Sequence, residues 1–388
     1  YDSYHKMDIY VSAIYWNLNA DSLTFKRLRG VNPVNKAKFK SSNYFSSKEF
    51  YELQGIDDIN PLYVIANYAH TYSTKQISVN SFAAFMNKPE EQIVALFINL
   101  SKKGFVVFDS KTNIATLKNR LYHFLDAKSG RTDYDVLHFN SKVINSSNAS
   151  LNLKSYTLNI YGVPQIFISD SQKVYIYPYN KRIAVHKNRD FSFNGKVHAG
   201  LFDFYAHNST FVYDSFMLNL NYIDSMAFQV KIKDSVTNKT KLMKVGNVLQ
   251  KMNARLYIDK PYNKSGKRRF PEYPKLYSEA ESYVYFNRKS IQDSSLWPEK
   301  FYYKVDPFVF DSLLTFSTKG LAFKGELNSG GIFPIIKQPL IVMPDFSLGF
   351  FHHSPPEGYP LYGGKAIYGT DIKLDNSGFT GNGLLKYL

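Results

Sequence analysis

The sequence predicts a mainly β chain with a small α+β insert, in which repeated short strands build a β-groove, a solenoid or a sandwich. Three observations carry this. Rings make up 16% of the 388 residues, 31 Tyr and 31 Phe against 2 Trp, and such side chains favour pleated, half-buried surfaces. Over residues 145–234 short alternating apolar runs follow one another with no helical period between them, which indicates consecutive strands. Between Pro61 and Leu125 the period changes to a helical one, and this marks the insert. With 44% hydrophobic residues, the chain has enough material for real cores.

Residues 1–58 form an N-terminal β segment. Runs at 7–16 and 22–28 flank the turn-favouring Asn17-Leu18-Asn19-Ala20-Asp21 and predict a hairpin, and a short helix follows near 46–53. Residues 59–128 hold the insert. Leu62, Ile65, Ala66 and Ala69 share one helical face, Ser78 can cap a second helix through Phe82 and Phe85, and Pro89 can open a third, striped by Ile93, Leu96, Phe97 and Leu100 and ended by Gly104. Two strands, 105–108 and 113–117, complete a hairpin. Residues 129–235 read as a β-repeat segment, with strands at 151–160, 165–168, 174–177, 183–185, 201–205, 211–220 and 226–232. Residues 236–310 read as an irregular basic connector with a helix near 245–252, and 311–388 as a second β-repeat segment broken at Ser354-Pro355-Pro356-Glu357-Gly358. The start at Tyr1 without Met and the end at Leu388 inside an alternating run suggest a fragment or a processed chain.

The insert resembles a winged-helix domain, with Gln76-Ile77-Ser78 leading into its second helix and Lys103-Gly104-Phe105-Val106-Val107-Phe108-Asp109 entering the wing. That resemblance implies a contact module for protein or nucleic acid. In a DNA reader the start of the third helix would approach base edges, but here it carries Glu90 and Glu91, which phosphates repel. Nucleic acid is therefore an unfavoured partner, to be tested by neutralising Lys102, Lys103 and Lys111 together.

Two small motifs recur in the β segments. An aromatic residue two positions before Gly appears at Phe193-Asn194-Gly195, Phe323-Lys324-Gly325 and Phe379-Thr380-Gly381, where Gly would permit a bulge or a close backbone approach. Asp-Ser precedes an apolar residue at Ser22, Ser215, Ser225, Ser235 and Ser312, where both side chains can stop one strand and launch the next. The run Asn188-Arg189-Asp190-Phe191-Ser192-Phe193-Asn194-Gly195-Lys196-Val197-His198-Ala199-Gly200 and the ending Leu374-Asp375-Asn376-Ser377-Gly378-Phe379-Thr380-Gly381-Asn382-Gly383 resemble strand repeats of large Bacteroidota envelope proteins. More remotely they are similar in style to lipopolysaccharide-bridge and AsmA-like β-grooves. This likeness implies a periplasmic or cell-surface, outer-membrane-associated location and a scaffold or lipid-handling role. It also makes Ser22, Ser225, Ser235 and Ser312 candidate O-glycosylation sites.

Composition excludes several chemistries. Without Cys there is no disulfide, thiolate metal site or cysteine nucleophile. No stretch is long and apolar enough for a membrane-spanning helix, so membrane association would come through partners. The net charge of +16 favours anionic partners such as lipid headgroups or acidic glycans, and Lys264, Lys267, Arg268 and Arg269 are the densest candidate anion contacts. No nucleophile elbow, zinc-helix motif or complete phosphate loop is present, so no catalytic residue, metal ligand or cofactor is assigned. His352 and His353 would point to opposite faces of a strand, while His198, His207 and Asp203 could converge if their strands pair. The expected function is that of a non-enzymatic scaffold in an envelope or outer-membrane complex with protein partners. The alternatives are a lipid- or lipopolysaccharide-handling groove, a polysaccharide lyase on a β-helix, and nucleic-acid binding by the insert.

Overall fold

The computed structural model describes residues 1–27, 37–55, 59–143, 146–233, 239–287, 297–318 and 321–387. Strand occupies 46% and helix 16%, so the chain is mainly β with a small α+β part, as its sequence predicts.

The helical unit comprises α1 (Ser47–Gln54), α2 (Pro61–Thr71), α3 (Val79–Met86), α4 (Glu90–Lys102) and α5 (Asn119–Ser129). Asn60 caps α2, whose first residue is Pro61, and Ser78 Oγ accepts the Ser81 N–H at the start of α3. Strands Gln76–Ser78, Ile114–Leu117 and Val106–Asp109 form one small sheet in that spatial order. Leu62, Ile65, Phe82, Phe97 and Leu100 meet in its core, which also takes in Phe45, Phe50 and Phe124. The unit therefore reaches back past residue 58 to α1 and forward through α5, a helix the sequence reading did not contain.

This unit is looped out of a β-sheet. Ala37–Ser41 before it pairs with His138–Ser141 after it, and Met7–Tyr10 lies on the other side of Ala37–Ser41. The strand expected over 7–16 is thus two. Met7–Tyr10 belongs to this small sheet, whereas Ala13–Trp16 turns away to form the expected hairpin with Ser22–Lys26 and joins the large sheet through Ala149–Asn152.

The large sheet is one antiparallel system whose inner face is packed solid. Its spine runs from Ala149–Asn152 through Leu158–Tyr161, Arg182–Val185, Phe191–Ala199, Phe202–Val212 and Met217–Lys233 to Leu249–Tyr257. From there it forks toward Lys275–Ser278 and toward Ser282–Tyr285, Phe301–Val305 and Gly325–Ser329. The system curls as a barrel does, although among the described residues the pairings followed strand by strand run from Ala13–Trp16 to Gly325–Ser329 without returning to their start. Phe191, Phe202, Phe204, Phe211 and Phe228 fill the interior, each alternating with outward residues. Every named strand pair is antiparallel, which corrects the solenoid expectation and takes from the lyase alternative its parallel β-helix.

Three local expectations also change. The helix expected near 245–252 is replaced by the strand Leu249–Tyr257, because Leu249, Met252, Ala254 and Leu256 are buried against Met217–Lys233. Within the expected connector 236–310 the described residues accordingly supply the strands Thr240–Lys244, Leu249–Tyr257, Lys275–Ser278, Ser282–Tyr285, Phe301–Val305 and Val309–Phe310, while 258–274 carries none. The run 211–220 contains a turn at Asp214-Ser215, after which one 17-residue strand carries Asp224-Ser225 in its middle. The Gly motif behaves as expected. The register shifts between Phe193 and Gly195, and a Cβ on Gly195 would lie 2.5 Å from the Tyr177 carbonyl oxygen. At Gly325, with φ 153°, it would lie 2.0 Å from that of Lys304.

A smaller C-terminal sheet pairs Ala322–Phe323, Leu340–Val342, Leu348–His353, Ala366–Asp375 and Gly378–Tyr387, with Tyr359–Leu361 beside Ala366–Asp375.

Candidate functional sites

The helical unit is fixed to the β body by a buried polar joint assembled from residues far apart in the chain. Asp135 follows α5 and is almost wholly buried. Its Oδ2 accepts hydrogen bonds from Ser41 Oγ (2.8 Å) and Tyr213 OH (2.7 Å), and Arg189 Nη1 stands 3.9 Å away. The Arg189 guanidinium lies 3.7 Å over the Tyr213 ring, with Lys264 Nζ 4.7 Å from the same ring. Burial pushes the Asp135 carboxyl and the Tyr213 phenol above their usual ranges and lowers Lys264, because each charged form loses water. Asp135 Oδ1 and Arg189 Nε have no protein partner. Arg189 sits at φ 71° beside Asn188 at φ 56°, so a left-handed turn is what aims the guanidinium inward. The ion pair is packed shut, and its chemistry is that of a joint.

The basic loop divides between joint and surface. The Lys264 and Ser265 N–H groups donate to Asp133 (2.7 and 3.1 Å), and Lys264 Nζ donates to the Pro261 carbonyl. Lys267 Nζ reaches the Ala127 carbonyl at 2.6 Å, where it complements the negative C-terminal end of α5. Only Arg268 and Arg269 turn exposed side chains to solvent without serving that joint. Ion pairs of Arg120 with Asp8 and Lys40 with Glu49 also tie the unit to the small N-terminal sheet.

The histidines pair with carboxylates one at a time. His198 faces Asp203 across a strand pair at 2.8 Å, and Lys196 binds the other carboxylate oxygen at 3.0 Å, but His207 pairs with Asp224 at 2.8 Å and does not join them. His352 and His353 do diverge. His352 contacts Tyr359 OH at 2.7 Å, and His353 contacts Asp371 at 2.7 Å on the outward face. Among the described residues no three His, Asp or Glu side chains gather as a metal site would need.

Of the four candidate modification sites, Ser22 opens a strand beside a turn and Ser312 lies in a turn with φ 54°, each partly exposed. Ser225 is mid-strand, paired with Tyr205 and Gln250, so the turn reading fails there. Ser235 lies outside the described residues. In the helical unit, Lys102 and Lys103 close α4, Lys111 sits in the turn after Val106–Asp109, and Glu90 and Glu91 occupy the first turn of α4.

One feature open to a partner is the strand Gly378–Tyr387. It pairs along all ten residues with Ala366–Asp375, and among the described residues no second strand lies on its other side. Leu384, Leu385 and Tyr387 are 70%, 63% and 87% exposed. The sequence signal was present in the alternating ending, but alternation does not say which strand closes a sheet.

No family model, curated protein or solved structure matches this chain.

Proposed function

We propose that this chain is a non-enzymatic scaffold component of a bacterial envelope or outer-membrane assembly, engaging protein partners by strand addition. The carrying observation is the ten-residue edge Gly378–Tyr387, with exposed Leu384, Leu385 and Tyr387 along it. Sheets normally blunt such edges with charge, proline or a covering element, and an edge left long and apolar is a template for an extended segment of another chain. The envelope location and the O-glycosylation of Ser22, Ser225, Ser235 or Ser312 rest on the sequence resemblance and belong to the same proposal.

A lipid- or lipopolysaccharide-handling groove would need an apolar trough, and the buried phenylalanines that fill the large sheet favour the scaffold over it. Nucleic-acid binding is disfavoured by the two glutamates opening α4.

The test is purification from native membranes with a photo-crosslinker at position 387. Recovery of an outer-membrane or periplasmic protein is expected, together with its loss in Leu384→Lys/Leu385→Lys, which places charge on the edge. A monodisperse cytosolic protein with no envelope partner would refute the proposal.

A further inference from the structure

The outward face of the C-terminal sheet carries a furrow whose side chains are a separate matter from its edge. Strand pairing aligns Phe351 with Lys373 and Thr380, then His353 with Asp371 and Asn382, and then Gly369 with Leu384. These positions alternate with Phe350, Ile372 and Leu374, which are buried, so they project to the opposite, outward side. One depression of about 630 Å³ lies along the first two rows, and a second of about 490 Å³ continues past Ile367 and Lys386 under the wall Pro355, Pro356 and Glu357. His353 borders both, so the two run into each other. At the junction a Cβ on Gly369 would meet nothing nearer than Ser354 Oγ at 4.0 Å, and the furrow stays open there. From the Thr380 row to the Lys386 row is about 20 Å at strand rise, the span of a short oligosaccharide.

The lining selects among ligands by its chemistry. Phe351 is 57% exposed and offers a flat ring face to the polarised C–H groups of a pyranose. In the next row the Asp371 carboxylate holds His353 Nδ1 at 2.7 Å on one side and has Asn382 as its register partner on the other. Carboxylate and amide together supply acceptors and donors for neighbouring hydroxyls. Lys373 Nζ is held by Asp375 at 2.7 Å, so the row presents little uncompensated positive charge to an anion.

We propose that this furrow binds an oligosaccharide, with Phe351 as the stacking platform and Asp371 and Asn382 as the hydroxyl-binding pair. The site goes beyond the scaffold reading and does not depend on it, because strand addition uses the backbone edge and sugar binding uses one side-chain face.

The experiment uses the full chain on an array of defined tetrasaccharides, neutral hexose, N-acetylhexosamine and uronate, with phosphatidylglycerol vesicles as the lipid arm. Titration calorimetry follows on whichever tetrasaccharide is retained. Binding of a tetrasaccharide is expected, weakened about tenfold or more by Phe351→Ala and by Asn382→Ala, and kept by Phe351→Tyr. Arg269→Ala, outside the furrow, should leave neutral-sugar affinity within about threefold. All three substituted positions face solvent, and circular dichroism confirms that each variant is folded. No tetrasaccharide binding at millimolar concentration, equal binding by Phe351→Ala and Asn382→Ala, or binding to vesicles alone would overturn the proposal. Failure of the unsubstituted edge to crosslink any partner, with sugar binding intact, would refute the scaffold reading alone.

Discussion

Tyr213→Phe isolates one hydrogen bond of the buried joint and gives the sharpest energetic prediction. The substitution removes the hydroxyl that donates to Asp135 Oδ2 at 2.7 Å and keeps the ring that the Arg189 guanidinium covers at 3.7 Å. The cation–π contact is therefore retained, and the loss is that of a single bond to a charged acceptor, about 1.5–3 kcal/mol. The carboxylate is then left with Ser41 as donor and Arg189 at 3.9 Å. Burial raises the Asp135 pKa above its unfolded value of 3.8. Protonated Asp135 thus favours the fold, a contribution fully present below the unfolded pKa and lost as pH rises through the folded one. The Tyr213 hydroxyl supports the ionised form, so deleting it raises the folded pKa further. The destabilisation should grow with pH, from the ~1 kcal/mol of a neutral hydrogen bond while the carboxyl is protonated toward the upper figure once it ionises, and is read at one acidic and one alkaline pH. Urea unfolding followed by far-ultraviolet circular dichroism is the assay, since Trp16 and Trp297 are both more than half exposed and report poorly on the interior. A loss below about 0.5 kcal/mol at both pH values would refute the account of Asp135 as an ion held by this hydroxyl.

Other predictions follow from local geometry. Gly325→Ala drives a Cβ into the Lys304 carbonyl and should destabilise by about 3 kcal/mol or more in thermal unfolding, whereas Gly331→Ala, with nothing within 4 Å, should cost only the ~1 kcal/mol of its positive φ. Ser78→Ala removes the cap of α3 and should cost about 1 kcal/mol in urea unfolding. Arg268→Ala/Arg269→Ala should reduce retention on heparin without moving the melting temperature, while Lys267→Ala should lower the melting temperature because it uncaps α5. Intact-mass analysis of natively produced protein should show glycan that is lost in Ser22→Ala/Ser312→Ala, and an unmodified mass would return both residues to turn chemistry.

What was legible in the sequence was whatever depends on near neighbours. The spacing of Leu62, Ile65 and Ala69, the Ser78 cap and the break at Gly104 located α2 to α4 because helical period and capping act within a turn. The Phe-x-Gly motif signalled close approach for the same reason, since a missing Cβ has one steric meaning. Asp224-Ser225 misled because pairing on both sides of a 17-residue strand overrides local turn preference. At α5 no capping side chain precedes Asn119, so the start signal was missing although Leu121, Phe124 and Leu125 carry the period. The joint was invisible because Ser41 and Asp135 lie 94 positions apart and Tyr213 another 78 beyond Asp135. Chemistry assembled over such separations leaves no spacing to read.

The looping-out of the helical unit bears on the order in which the molecule can form. Ser22–Lys26 finds its partner Ala149–Asn152 only after the whole unit has been made. Closing a coil of more than a hundred residues carries an entropic cost that grows by about 0.6 kcal/mol with each doubling of length. If α1 to α5 condense first, the chain on either side is brought together, because Lys40 and His138 are register partners at the base of the unit. The remaining slack is then a few tens of residues, about two halvings, which returns roughly 1.2 kcal/mol of closure entropy before the large sheet forms. During synthesis, a helical unit made of short-range contacts would thus act as a folded clasp, holding the first strands in place until the later ones emerge.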